Sequence, residues 1–205
     1  PVSPATIAAD IGPGLAKAAM LAVVDGQEWD LTREIETDAS LALLTAKDDA
    51  ILATIRHDAA HVMAEAVLEL YPETQVTIGP SIENGFYYDF HRETAFTEDD
   101  LASIEAEMRV IVEADQPFVR SEMSAEAALE LFADQPYKCE LIRRVMDAGG
   151  DQIDAGEVSS ADRISAYRNT DEFVDMCVGP HVPSTGRLGH FRLQRISGAY
   201  WRGTE

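Results

Sequence analysis

Residues 48–72, DDAILATIRHDAAHVMAEAVLELYP, decide how the chain is read. Apolar side chains recur at Ile51, Ile55, Ala59, Val62, Ala66 and Leu70, which is the spacing of one helix face. The helix is expected from Asp48, and Pro72 ends it. At about 100° per residue, His57 and His61 fall nearly opposite that stripe, beside Ala64 and Leu68, so they are expected to face something other than the main core contact. Four positions apart on a helix, they project side by side with Cβ atoms about 5–6 Å apart, and both can reach one small object.

Working outward toward the N-terminus, Ser3 and Pro4 read as an N-cap with proline at the first helical position, and Gly12-Pro13-Gly14 stops a helix over 4–11. Ala18 to Val24 and Leu41 to Thr45 read as strands, the first turned by Asp25-Gly26. This opening unit is thin for a core of its own. Toward the C-terminus, Gln75 to Ile78 and Gly85 to Phe90 read as strands joined through Gly79-Pro80 and Asn84-Gly85. Thr97 with Asp100 caps a helix bearing Leu101, Ile104, Met108 and Ile111. Helices are expected near Ser124 to Phe132 and Tyr137 to Asp147, the latter closed by Gly149-Gly150, with strands at Ile164 to Tyr167, Phe173 to Val178 and Phe191 to Ile196. Helices and strands mix without a βαβ rhythm, so the class is α+β with an antiparallel sheet.

The 205 residues, 46% apolar and 26% charged, suit one or two globular domains and make intrinsic disorder an unsuitable reading. No apolar run approaches the roughly 20 residues that span a bilayer, and no charged-then-apolar leader opens the chain, so neither membrane insertion nor secretion is expected. Pro1 at the start suggests a piece of something longer. Cys139 and Cys177 form no disulfide framework and suit a reducing, cytoplasmic setting. The formal charge is −21, which argues against a generic polyanion binder, but the charge is unevenly placed. Residues 1–137 hold 7 Lys/Arg against 27 Asp/Glu, whereas residues 138–205 hold 9 against 10. Between Gly186 and Gly203, Arg187, Arg192, Arg195 and Arg202 occur with no acid. That basic strip reads either as a solvated surface segment or as a nucleic-acid contact.

Four of the seven His and Cys residues sit in two spaced pairs: His57 with His61, and Cys177 with His181 around the sharp Gly179-Pro180 loop. Three chemistries could use the set. Three histidines and a cysteine satisfy tetrahedral zinc, which with an open position would activate water. A metal-free cleft could use a histidine as general base on water. Cys177 beside a histidine could serve as a nucleophile. The plainer alternative is that each pair is a satisfied polar contact within a core.

Several stretches together resemble the N-terminal part of bacterial-type threonyl-tRNA synthetase. They are Ile55 to His61 (IRHDAAH), Ile78-Gly79-Pro80 through Asn84-Gly85-Phe86-Tyr87-Tyr88-Asp89, Val174 to Pro183 (VDMCVGPHVP) and Gly198 to Gly203 (GAYWRG). Residues 11–18 (IGPGLAKA) resemble the end of the small β-grasp domain, TGS, that precedes that family's editing domain. The resemblance covers nearly the whole chain. It implies an incomplete β-grasp (TGS) unit at 1–48, because family members carry a further strand pair first. An α+β editing domain with an antiparallel sheet and the H-x-x-x-H helix is implied at 49–205. Such a domain hydrolyses the ester of serine wrongly attached to threonine tRNA. Serine lacks one methyl of threonine, and a threonine pocket rejects it by only about 1–3 kcal/mol, so a second sieve is needed.

On this resemblance, His57 activates or positions water, and Lys138 serves the oxyanion or the terminal ribose. His61, Cys177 and His181 shape the pocket and hold a second water, Asp175 binds the substrate amino group, and Tyr88 is a wall or hydroxyl donor. Arg187, Arg192, Arg195 and Arg202 are expected to meet RNA, although Val178 stands where many relatives place a basic residue. No cofactor is expected in this fragment. Zinc at His57, His61, Cys177 and His181 is the alternative, since related alanyl editing domains hold it with a similar pattern. The full-length enzyme would add ATP, magnesium and a zinc in its aminoacylation domain. The implied partners are the 3′ acceptor end of threonine tRNA and the catalytic and anticodon-binding domains of the same synthetase. The rival functions are a non-catalytic, zinc-stabilised RNA-binding module and a cysteine hydrolase with a covalent intermediate.

Overall fold

The computed structural model describes residues 1–148 and 163–198. Helix α1 (Pro4–Ile11) starts where local chemistry demands it, with the Ser3 hydroxyl accepting the Thr6 N–H and Pro4 in the first turn. Gly12-Pro13 ends it but does not end helical structure, because Pro13 is well placed as the first residue of a second helix, α2 (Pro13–Ala18). Strand β1 (Ala19–Val24) is the middle of an antiparallel sheet. It lies between β2 (Gln27–Trp29), which the sequence reading lacked, and β3 (Leu41–Thr45). Asp25 and Gly26, both at positive φ, make the two-residue turn between β1 and β2. Ala8, Ala19, Ala22, Val24 and Leu31 form a small core here, while Met20 and Leu21 belong to the main core with the next helix. The thin unit is therefore completed by its neighbour.

Helix α3 (Ile51–Leu70) starts three residues later than expected, since the Asp48 carboxylate instead accepts the Thr45 backbone N–H and hydroxyl. Every residue from Asp58 to Val67 is buried, whereas Leu52 and Leu70 toward the ends are partly exposed. The expected one-sided stripe is thus replaced by a helix surrounded along its middle, and His61 is as buried as the apolar positions. Next come four two-residue strands, β4 (Gln75–Val76), β5 (Ser81–Ile82), β6 (Gly85–Phe86) and β7 (Phe90–His91). β4 pairs with β7 and β5 with β6. Backbone bonds from Thr77 to Asp89 and from Asp89 to Ile78 carry the ladder between the two pairs.

Helix α4 (Glu98–Glu113) opens with the expected Thr97–Asp100 capping box and buries Ile104, Met108 and Ile111 against α3. A second antiparallel sheet comprises β8 (Val119–Met123), unforeseen in the sequence, with β9 (Ile164–Arg168) and β10 (Val174–Met176), β9 being central. Helices α5 (Ala125–Leu131) and α6 (Pro136–Ala148) pack on it through Phe132, Ile142 and Val145 against Ile164, Ala166 and Met176. The expected closure of α6 at Gly149-Gly150 lies outside the described residues. Residues 191–196 form no strand. Phe191 and Leu193 pack half-buried on the main core, and the Leu193 N–H is taken by Glu105 on α4 rather than by a neighbouring strand. Antiparallel sheets with helices packed on them bear out the α+β expectation. No helix among the described residues is long and apolar enough to cross a membrane.

Candidate functional site

Two elements bring the histidine and cysteine pairs together. The middle of α3 offers His57 and His61, and the loop leaving β10 offers Cys177 and His181. The three imidazole centroids stand 4.7 to 5.0 Å apart in a triangle. Cys177 Sγ lies 3.0 Å from His57 Nε2 and 3.4 Å from His181 Nε2. Cys177, His61 and His181 are buried, while His57 is half-buried and so the member nearest solvent. The loop's shape comes from Gly179, at φ +76, whose N–H points to Cys177 Sγ at 3.2 Å. A Cβ there would strike the Tyr167 hydroxyl, so glycine is required twice over, by φ and by close approach.

The other expected residues join the same network. Asp175, on β10, is 1% exposed and receives four partners. Lys138 Nζ lies 2.8 Å from its Oδ1, His61 Nδ1 lies 3.1 Å from its Oδ2, the Tyr88 hydroxyl donates at 2.8 Å, and the Met176 N–H donates at 2.8 Å. Lys138, on α6 and also buried, donates to the Tyr88 oxygen at 3.2 Å. Tyr88 reaches this place because Gly79 has no Cβ to meet its ring.

Burial alone would favour the neutral form of every group here, and their mutual attraction overturns it for most of them. Burial lowers His57, and the Cys177 sulfur only partly offsets this, so His57 stays neutral more readily than an ordinary imidazole. For His61, burial opposes the charged form, but Cys177 and Asp175 overcome it and push the ring up to about 9. His181 is likewise disfavoured by burial, yet Asp58 and Cys177 push it up to about 10. The Cys177 thiol, which burial would raise, is held well below its ordinary value by His57, His181 and His61. Asp175, also raised by burial, is held below the usual carboxylate range by Lys138 and His61. The attractions within the cluster thus favour the thiolate form of Cys177 and the imidazolium forms of His61 and His181, while His57, nearest the sulfur and at the more open side, is the ring that burial favours as neutral.

The sequence reading passed over Asp58, Asp30, Ser165 and Tyr167. Asp58, between the α3 histidines, places Oδ1 2.8 Å from His181 Nδ1, an ion-pair distance at which the N–H is not aimed squarely at the oxygen. Its Oδ2 accepts the Val182 N–H at 3.0 Å. Ser165 Oγ donates to the Cys177 carbonyl at 2.6 Å. The position of Asp58 inside the H-D-A-A-H run was the available signal.

His57, His61, Cys177 and His181 also make a set fit for a metal, their donor atoms all lying within 4.8 Å of one another. His61 and His181 each set Nδ1 against a carboxylate, the arrangement that orients histidine ligands. Three nitrogens and a thiolate suit zinc.

The basic strip is not part of the cluster. Arg187 Nη1 donates to the Lys17 carbonyl at 2.6 Å. Arg192 and Arg195 are exposed and line a cleft of about 800 Å³ with Arg109, Glu98 and Glu105 of α4, which none of the cluster residues lines. Arg202 lies outside the described residues.

Residues 164–201 match the family described as the Threonyl and Alanyl tRNA synthetase second additional domain, and residues 2–45 match the TGS domain. The chain is 51% identical over 208 residues to a threonine–tRNA ligase of Paramagnetospirillum magneticum, covering 99% of this chain and 30% of that protein. It is 52% identical over 206 residues to one of Rhodospirillum rubrum, again covering 99% and 30%. For one of Anaeromyxobacter dehalogenans the identity is 51% over 195 residues, covering 94% and 28%. The chain thus spans less than a third of the length of these relatives.

Proposed function

We propose that this chain, which carries a TGS domain and a second additional domain of the threonyl and alanyl tRNA synthetase kind, is the editing portion of a threonine–tRNA ligase and hydrolyses the ester of serine wrongly joined to threonine tRNA. The TGS-type unit takes residues 1–48 and the editing unit residues 49–205. Support comes above all from one observation: a half-buried imidazole, His57, stands 3.0 Å from Cys177 Sγ at the border of a buried network that joins Cys177, His61, His181, Asp175 and Lys138.

In this reading His57 gives its Nε2–H to the Cys177 thiolate, which leaves Nδ1 as the basic nitrogen. Water adds to the ester carbonyl carbon as its proton passes to Nδ1. The tetrahedral oxyanion then collapses, and the ribose oxygen departs as it takes from Nδ1 the proton that came from the water, which restores neutral His57. Lys138, fixed by Asp175 and Tyr88, presents positive charge to the oxyanion or the terminal ribose. Asp175 takes the substrate amino group, Tyr88 walls the pocket, and His61, Cys177 and His181 hold a second water. Of the basic strip, exposed Arg192 and Arg195 are offered to the tRNA acceptor end, together with Arg187 and Arg202. Ligation of threonine with ATP and magnesium belongs to other domains of the same synthetase, and two cysteines outside any disulfide suit its work in the cytoplasm.

Deacylation of seryl- and threonyl-tRNA by the purified chain tests this. The serine ester should be cleaved and the threonine ester spared, and equal rates would remove the sieve. The donor geometry favours one second reading, a zinc-stabilised RNA-binding module without turnover. Stoichiometric zinc in chain that cleaves neither ester would establish it.

A further inference from the structure

Asp30 follows β2 in the opening unit, yet both of its carboxylate oxygens serve the cluster. Oδ1 accepts the His181 backbone N–H at 2.9 Å, and Oδ2 accepts the Tyr167 hydroxyl at 2.8 Å. Asp30 is only 7% exposed, and Tyr167 and His181 are each 1% exposed. The Tyr167 ring stands 4.1 Å from the His181 ring, and its hydroxyl fills the space that a side chain at residue 179 would need.

The segment from Cys177 to Val182 has no regular structure, so its backbone donors must find partners elsewhere. The Gly179 N–H points to Cys177 Sγ, the Val182 N–H goes to Asp58 on α3, and the His181 N–H goes to Asp30. Ser165 holds the loop at Cys177 and Asp58 holds it at Val182. Asp30 adds an anchor at His181 between them, and through Tyr167 it also fixes the ring packed against the His181 imidazole. We propose that Asp30, acting with Tyr167, is a positioning residue by which the TGS-type unit completes the editing site. The inference rests on the reading of the cluster as that site.

The test uses the full chain with Asp30→Ala, Asp30→Asn and Tyr167→Phe. Asparagine keeps both contacts, because its Oδ1 can accept the His181 N–H and its Nδ2 can donate to the Tyr167 oxygen. Two readouts are taken. Amide exchange at His181 should quicken about tenfold in Asp30→Ala, since a buried donor is left unmade. Exchange of the Val62 to Val67 amides should stay as in the wild type. Seryl-tRNA cleavage by Asp30→Ala should show kcat lowered by about the same factor with KM within about twofold. Asp30→Asn should restore both values, and Tyr167→Phe should move both in the same direction by less. Unchanged His181 exchange in Asp30→Ala, uniform loss of protection across α3, or an asparagine variant as impaired as alanine would each overturn the proposal. Should the wild-type chain cleave no ester, the proposed function fails, while the exchange readout still decides the positioning.

Discussion

Replacing Lys138 with methionine removes one partner of a buried ion pair while keeping most of the side-chain volume. Both members are 1% exposed, and their charged atoms are 2.8 Å apart. Removing one side of such a pair costs about 3–5 kcal/mol, most of it for the charge left behind. Asp175 would keep His61 at 3.1 Å, the Tyr88 hydroxyl at 2.8 Å and the Met176 N–H at 2.8 Å, which places the loss at the lower end, about 3 kcal/mol. For a chain of this size that is a fall in Tm of about 6–12 °C. The double variant Lys138→Met/Asp175→Asn removes the stranded charge as well, so it should lose about 2 kcal/mol less than the sum of the two single variants. The acid side carries a further signature. Asp175 has a lowered folded pKa, so its contribution to stability is present above the ordinary carboxylate value and lost as pH falls through the folded one. Without Lys138 that lowering shrinks, and acid unfolding should begin at a higher pH. Urea and thermal melts from pH 3 to 7 measure all three effects. A loss below about 1 kcal/mol, or additivity in the double variant, would refute the view that the pair neutralises a buried charge.

Two further predictions concern protons. Because burial lowers His57, the acid limb of seryl-ester cleavage should have its midpoint below the ordinary imidazole value of 6.5, and a midpoint above it would remove His57 as base. His61 and His181 are raised to about 9 and about 10, so their stabilisation is complete below the unfolded imidazole value and lost as pH climbs through the folded ones. The lowered Cys177 acts oppositely up to the ordinary thiol value, so melts should show stability falling gently from pH 7 and more steeply past about pH 8.5.

What was legible in the sequence was local. The Ser3-Pro4 start of α1 and the Thr97–Asp100 box of α4 depend on contacts three residues long, and both helices stand where those contacts put them. The histidine pair is legible for the same reason, since spacing on one helix fixes it. The missed strands depend on distant partners. β8 reads Val-Arg-Ser-Glu-Met, with no clear apolar face, and is a strand because it pairs along its length with β9. The converse error at 191–196 arose from true alternation. Phe191 and Leu193 do turn inward, but α4 receives them, so an extended segment satisfies the pattern without a ladder. Asp58 was passed over because a charged residue on an amphipathic helix is ordinarily assigned to solvent, an assumption that fails when a helix is covered on all sides. Asp30 lies 151 residues from the amide it anchors, and no pattern along the chain joins the two.

The composition of the buried cluster follows from charge balance. Asp58, Asp175 and Cys177 stand against His61, Lys138 and His181, all at most 4% exposed, and Asp30, 7% exposed beside them, has the Arg120 guanidinium as its counter-charge. A net charge in such surroundings would be prohibitive, whereas alternating charges near 3 Å apart are tolerable. His57 stands outside this balance as a neutral ring. When it accepts a proton from water in the proposed reaction, the ring gains one positive charge at the moment the substrate oxygen gains one negative charge, so the step itself adds no net charge to the site. Zinc would preserve the balance by a different route, its two charges replacing the protons of His61 and His181 while His57 Nε2 becomes a ligand. A zinc ion and a protonated His57 together would leave the site uncompensated. With all four side chains on zinc neither an open position nor a free base would remain, so a closed metal centre and a cleft that uses His57 as base exclude one another in a single molecule.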